Sequence, residues 1–322
     1  MTHRAERQII DGTEVVCLTD KSTQTEVRIA PSFGNNSYDM KVAGQAVFWC
    51  PYQSLAELKA KPAQVGNPFL APWANRLDQN FYWANGRKYL LNPELKNFRY
   101  DAFQQPIHGL LVYAPHWQVT SLRSGDDHAS VTSRLEFWRY PDWMAQFPFA
   151  HVYEMTYRLA QGQLEVETVV ENLSSEPMPL SIAYHGYFTL PGSPRDAWAI
   201  RIPAREHVVL NSKLTPTGER KPFPASERFP LHGRQFDDVF TSLDPGSDFV
   251  LEGPGKKIAV RFGEKWRVGV VYAPSGRDFV CFEPMSGLTN AFNLAHAGKY
   301  DGLQKIAPGG QWRESFWIKP SY

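Results

Sequence analysis

Apolar and polar positions alternate with period two along much of the chain. Tyr153, Met155, Tyr157 and Leu159 alternate with Glu154, Thr156 and Arg158. Beyond Gln161-Gly162, Leu164, Val166, Thr168 and Val170 fall opposite Glu165 and Glu167. The two runs predict a hairpin with one buried face. Asn85-Gly86 between Phe81-Tyr-Trp-Ala84 and Arg87-Lys-Tyr-Leu-Leu91 predicts a second, because both turn residues tolerate the positive φ of a type I′ turn. Further strands are expected at 131–138, 258–262, 266–272, 279–283 and 315–318. The clearest helix signal is the capping box Ser54-Leu55-Ala56-Glu57, stopped near Pro62 and at most two turns long. Many short strands and few helices predict an all-β chain, a large antiparallel sandwich. The Pro/Ser-rich stretches 173–179 and 215–230 are broken by apolar or charged residues and read as loops, so residues 1–322 are expected to form a single domain.

Charge narrows the possible partners. With 34 Lys+Arg against 33 Asp+Glu, the net charge is +1, which argues against a dedicated nucleic-acid binder. At 43% hydrophobic and 21% charged residues the chain is globular in composition. The first ten residues lack the apolar core of a signal peptide, and no apolar run reaches about 18 residues. A soluble cytoplasmic protein with no membrane partner is expected. Cys17, Cys50 and Cys281 are odd in number and widely spaced, which suits a reducing compartment and gives no metal-ligand spacing.

Four segments carry candidate chemistry. In Asp278-Phe-Val-Cys-Phe-Glu283-Pro-Met-Ser286, a strand would put Phe279, Cys281 and Glu283 on one face. Desolvation there would raise the carboxyl pKa and make Glu283 a better proton acceptor near neutral pH; an ion pair with arginine is the structural alternative. His185, between Tyr184 and Gly186-Tyr187, is either a core imidazole or a proton-transfer group. Asn75-Arg76-Leu77 and Ile107-His108-Gly109 offer a guanidinium fork and a switchable donor or acceptor for hydroxyls. In Phe236-Asp237-Asp238-Val-Phe240 the two carboxylates face opposite ways on an extended chain, so at most one points into any site. Trp73, Trp83, Trp138 and Trp143 are compatible with stacking on a ligand with flat apolar faces, though a tryptophan taken singly is more often core or rim.

Pro72-Trp-Ala-Asn75-Arg76-Leu77, Ile107-His108-Gly109, Tyr184-His185-Gly-Tyr187-Phe188-Thr-Leu190, Phe236-Asp237-Asp-Val-Phe240 and Cys281-Phe-Glu283-Pro-Met-Ser286 with Asn290-Ala-Phe-Asn293 together resemble the ordered motifs of the aldose 1-epimerase (galactose mutarotase) family. The resemblance runs from about residue 30 to the C-terminus. It implies a large antiparallel β-supersandwich of the galactose mutarotase-like type with a sugar cleft on one sheet face. It also implies Glu283 as general base, His185 as general acid, and Asn75, Arg76, His108 and Asp237 as sugar-binding residues, with no cofactor or metal. The expected reaction interconverts the anomers of a free aldohexose such as galactose or glucose, by a monomer or homodimer. The chain departs from the family pattern at Gly109-Leu110 (often two glycines), at Tyr184-His185-Gly186 (often Asn-His-Ser) and at the doubled aspartate, all of which touch substrate walls. Two rivals remain: a hexose 6-phosphate mutarotase, for which Lys88, Arg99 and Arg139 are available cations, and a non-catalytic sugar-binding or regulatory homologue. A retaining glycosidase using Glu283 and Asp237 would leave His185 without a part.

Overall fold

The computed structural model describes residues 2–225 and 227–322. Two large antiparallel sheets dominate it. One has nine strands, in the order Gln118–Arg123, Ala129–Glu136, His151–Ala160, Gln163–Asn172, Gln311–Ser321, Lys256–Phe262, Asp248–Gly253, Ala199–Arg201 and Arg228–Pro230. The other runs Pro216–Pro222, Ala204–Leu210, Phe236–Leu243, Val268–Ala273, Val280–Met285, Ala183–Tyr184 and Phe69–Leu70, with Gly186–Phe188 also pairing to Val280–Met285. The chain is therefore all-β, the large antiparallel sandwich that the strand pattern predicts.

Facing rings join the sheets. Phe69 lies 5.3 Å from Tyr153, Tyr184 4.8 Å from Phe316, and Phe282 5.6 Å from Phe249, measured between ring centres. The Tyr184 and Thr168 hydroxyls meet at 2.6 Å across the interior, satisfying two polar groups that burial would otherwise penalise. Because Phe282 points into this core, its neighbour Glu283 must point to the opposite face of the same strand.

Both predicted hairpins form. His151–Ala160 and Gln163–Asn172 pair in full register around Gln161 and Gly162, each at positive φ. Phe81–Ala84 pairs with Arg87–Leu90 around Asn85 (φ 50°) and Gly86 (φ 75°). The predicted helix is Leu55–Ala60, with Ser54 Oγ accepting from Glu57 N at 3.1 Å. Glu57 reaches back to Gln53 N, one residue before the expected partner, while the Asp11 carboxylate takes Leu55 N. All five of the further strands differ from expectation in their bounds: 258–262 extends to Lys256–Phe262 and 315–318 to Gln311–Ser321. The run 131–138 stops at Glu136, where Phe137–Arg139 turn into a 3₁₀ helix ahead of Pro141. The strand expected at 266–272 begins at Val268, and the one expected at 279–283 is Val280–Met285. Two short helices, Pro141–Gln146 and Ala291–His296, and a five-stranded N-terminal sheet from His3 to Ala46 carry no clear signal in the sequence pattern.

Candidate functional site

Strand register assembles the site. Asp237 pairs with Tyr272 and Tyr272 with Cys281, while Val239 pairs with Val270 and Val270 with Glu283. Paired residues and their second neighbours share a face, so Asp237, Tyr272, Cys281 and Glu283 all stand on the side away from the core. Asp238 points the other way and bonds His207 Nε2 at 2.7 Å. Asp237 is the inward carboxylate of the pair.

His185 lies between two short strands that both pair with Val280–Met285, and its amide donates to Pro68 O at 3.0 Å. Its Nε2 is 3.2 Å from Glu283 Oε1. The imidazole stacks on Tyr187 at 4.6 Å, and His108 meets it edge-on at 5.5 Å.

The remaining residues come from two crossing loops. Arg76 bridges Ile107, and His108 N donates to Asn75 O at 2.8 Å. Asn75, His108 and Gly109 all adopt positive φ. At Gly109 a Cβ would lie 2.1 Å from Ala71 O, so this position requires glycine for both conformation and space. The Asn290–Asn293 motif pins the same turn without entering the site. Asn290 N donates to Arg76 O at 2.9 Å, and Asn293 Nδ2 donates to Asp78 Oδ1 at 2.8 Å. Arg76 itself donates from Nη1 to Asn75 Oδ1 at 3.0 Å and from Nε to Asp101 Oδ2 at 2.7 Å. Asp101 carries no signal in the sequence; only its turn with Phe103 and Gln105 hints at a structured loop.

Burial governs the electrostatics. Glu283 is 1% exposed, and its carboxyl is pushed well above the usual range by desolvation and by Asp237, against the pull of Arg76. Desolvation lowers His185 to about 3 and takes His108 well below the ordinary imidazole value. Asp237 is raised by burial, opposed by Arg76. A carboxylate–imidazolium pair is the form burial opposes, and both shifts run toward carboxylic acid and neutral imidazole. Glu283 Oε2, His185 Nδ1 and His108 Nδ1 are buried without a hydrogen-bond partner among the described residues. Three unspent polar atoms around one acid–base contact form a site ready to accept ligand hydroxyls. The Cys281 thiol is fully buried and raised by desolvation, which makes it an inert wall.

None of the four tryptophans considered from sequence joins this group of contacts. Trp73 and Trp143 are buried in the core, Trp83 stacks on His296 at 3.8 Å, and Trp138 lies under Arg139 at 5.2 Å. A different indole, Trp49, backs the site: it is stacked on Tyr187 at 6.0 Å and lies 4.7 Å from Phe279. Phe48 bridges Phe188 toward the core, so alternation places Trp49 on the Tyr187 face. Of the three cations considered, Lys88 lies over Phe81 and Arg139 pairs with Glu136. Arg99 alone lies by the site: it pairs with Ile107 beside His108, rests over Tyr113 at 5.5 Å, and its charge helps keep both imidazoles neutral.

Known proteins share this arrangement of strands. A galactose mutarotase-like protein from Clostridium acetobutylicum superposes with a TM-score of 0.85 at 21% identity, over 98% of both chains. Galactose 1-epimerase from Lactobacillus acidophilus NCFM gives 0.75 at 14% identity, over 99% of this chain and 97% of the other. In sequence, the chain is 24% identical to the uncharacterized protein YihR of Escherichia coli strain K12 over 231 residues, 70% of each. No helix among the described residues is long and apolar enough to cross a membrane. The sequence model of the aldose 1-epimerase family matches residues 18–319, and the chain belongs to that family.

Proposed function

We propose that the protein is an aldose 1-epimerase that interconverts the α and β anomers of a free aldohexose such as galactose or glucose. The observation that carries this reading is the 3.2 Å contact between His185 and Glu283, buried and ringed by unpartnered polar atoms. Glu283 as carboxylate takes the proton of the anomeric hydroxyl while His185 as imidazolium protonates the ring oxygen. The C1–O5 bond breaks and an aldehyde forms. Rotation about C1–C2 presents the other carbonyl face, and both transfers reverse on closure. Asn75, Arg76, His108 and Asp237 hold the sugar. The direct Nε2–Oε1 contact lets the proton cross within the pair when substrate enters. Each positioned transfer contributes typically about 10²–10⁴-fold. The working pair holds one proton. A second binds only as His185 titrates, near pH 3, and the last leaves only as Glu283 titrates, above the usual carboxylate range. Rate against pH should therefore show a plateau between an acid limb and a basic limb.

Polarimetry of fresh α-glucose and α-galactose, with and without protein, tests this reading. Acceleration of either supports it; binding without acceleration would make the protein a sugar-binding homologue. Arg99 favours a second reading, a mutarotase for hexose 6-phosphates, because it pairs with no carboxylate among the described residues. A strong preference for glucose 6-phosphate, abolished by Arg99→Gln, would replace the free-sugar assignment.

A further inference from the structure

Arg76 is held before any sugar arrives. Its Nε is committed to Asp101 and its Nη1 to Asn75, leaving Nη2 without a partner among the described residues, and its charge reaches both Glu283 and Asp237. Asp101 is built for this task. Its side chain is 7% exposed, and Oδ1 accepts from Phe103 N at 2.8 Å and Gln105 N at 2.9 Å. Burial pushes its carboxyl up, but these amides and Arg76 outweigh that and hold it below the usual range, so it stays ionised. Gln105, 3% exposed, braces the loop: Nε2 donates to Lys213 O at 2.7 Å, and Oε1 accepts from Thr215 Oγ1 at 2.9 Å. The brace thus ends on the hairpin connection between Ala204–Leu210 and Pro216–Pro222, beside the strand that carries Asp237.

We propose that Asp101 is a positioning residue of the sugar site: by gripping Nε of Arg76 it sets where the guanidinium stands and how much of its charge Glu283 feels. This rests on the mutarotase reading for its kinetic consequences only. The groups facing Glu283 are His185, Asp237, Arg76, Tyr187, Tyr272 and Cys281, of which Asp237 and Arg76 are the charged pair. Removing the Asp101 charge leaves Arg76 less neutralised, so Glu283 gives up its proton more readily.

The test uses Asp101→Asn, Asp101→Glu, and Asp101→Asn in an Arg76→Gln background. In Asp101→Asn the basic limb of the rate profile moves down by a fraction of the about 1–3 units that a charge in direct contact is worth, because Asp101 acts through Arg76, and KM rises about tenfold or more with a smaller change in kcat. Asp101→Glu keeps the limb in place. In the Arg76→Gln background the Asn substitution moves nothing further. The carboxyl ¹³C titration of Glu283 in the unliganded protein gives the same readout without activity. A titration unchanged in Asp101→Asn, or shifted equally without Arg76, overturns the proposal. Should Asp101→Asn not fold, Asp101→Glu decides: a wild-type limb with raised KM supports the grip, and a displaced limb overturns it. If the wild type accelerates no sugar, the functional reading falls while the titration still judges Asp101.

Discussion

Glu283 is a carboxyl group whose ionisation burial opposes. Its folded pKa lies above the unfolded value of 4.5, so its contribution to stability is complete below that value and is lost as pH rises through the folded one. At neutral pH the unfolded chain ionises freely while the folded chain ionises only against the cost of burial, which weakens folding. Glu283→Gln should therefore raise stability at pH 7–8 by about 1–2 kcal/mol, with no gain at pH 4, while kcat falls at least about 100-fold. Thermal denaturation at the two pH values, beside a mutarotation assay, checks both signs; a variant less stable at pH 8 would contradict the burial argument. At this scale the sequence was informative where chemistry and motif coincide, at Glu283, His185, Arg76 and His108. It could say only that the two aspartates diverge; the hydrogen bond of Asp238 to His207 decides which one turns inward. Asp101 was invisible because its pairing to Arg76 spans 25 residues with a whole hairpin between them, and local pattern does not say which turn folds back onto the arginine.

Among the elements, the crossing loops that carry Asn75 and His108 depend on one glycine. Gly109→Ala would place a methyl group against the Ala71 carbonyl and force alanine to φ 64°, two independent strains. The expected cost is about 2–4 kcal/mol. Because Leu110 N and Leu111 N both bond Ala71 O, the displacement should reach His108 and raise KM as well. Urea midpoints and KM measured together test this, and an unchanged KM in a destabilised variant would mean that the loop moves without the histidine. Hairpins were readable because alternation and turn chemistry agree, as at Asn85-Gly86. The N-terminal sheet was not, since His3–Ile10 reads His-Arg-Ala-Glu-Arg-Gln-Ile-Ile, with apolar residues at only three of eight positions and no alternation. The Asn290–Asn293 motif was recognised as a pattern, but its work is to clamp the Asn75–Asp78 turn from a helix of six residues.

The whole molecule carries a pH sensitivity separate from its chemistry. His151 is fully buried among Phe137, Phe147 and Tyr153, and burial lowers it to about 4 despite a bond from its ring to Phe149 O. A depressed imidazole adds stability above its unfolded pKa of 6.5, and that contribution is lost as pH falls toward 4, about 3 kcal/mol in all. His151→Gln should flatten the acid side of the stability curve by one proton without touching kcat. Denaturation midpoints from pH 7 to 4.5 measure this, and a slope equal to wild type would count against it. The sandwich was predictable from strand number and spacing, whereas the pairing order that sets Phe236–Leu243 beside Val268–Ala273 and Val280–Met285 is a long-range choice that local pattern does not encode.

The burial that opposes charge on His185 and Glu283 has a consequence for turnover itself. In the proposed reaction the ring opens from the charged pair, and opening discharges it, since Glu283 takes one proton and His185 gives one. A dry pocket thus eases the climb from the charged complex to the acyclic aldehyde and raises the cost of charging the pair beforehand. The charging step, in which one proton crosses from Glu283 to His185, should then weigh on the rate, and turnover should slow in heavy water.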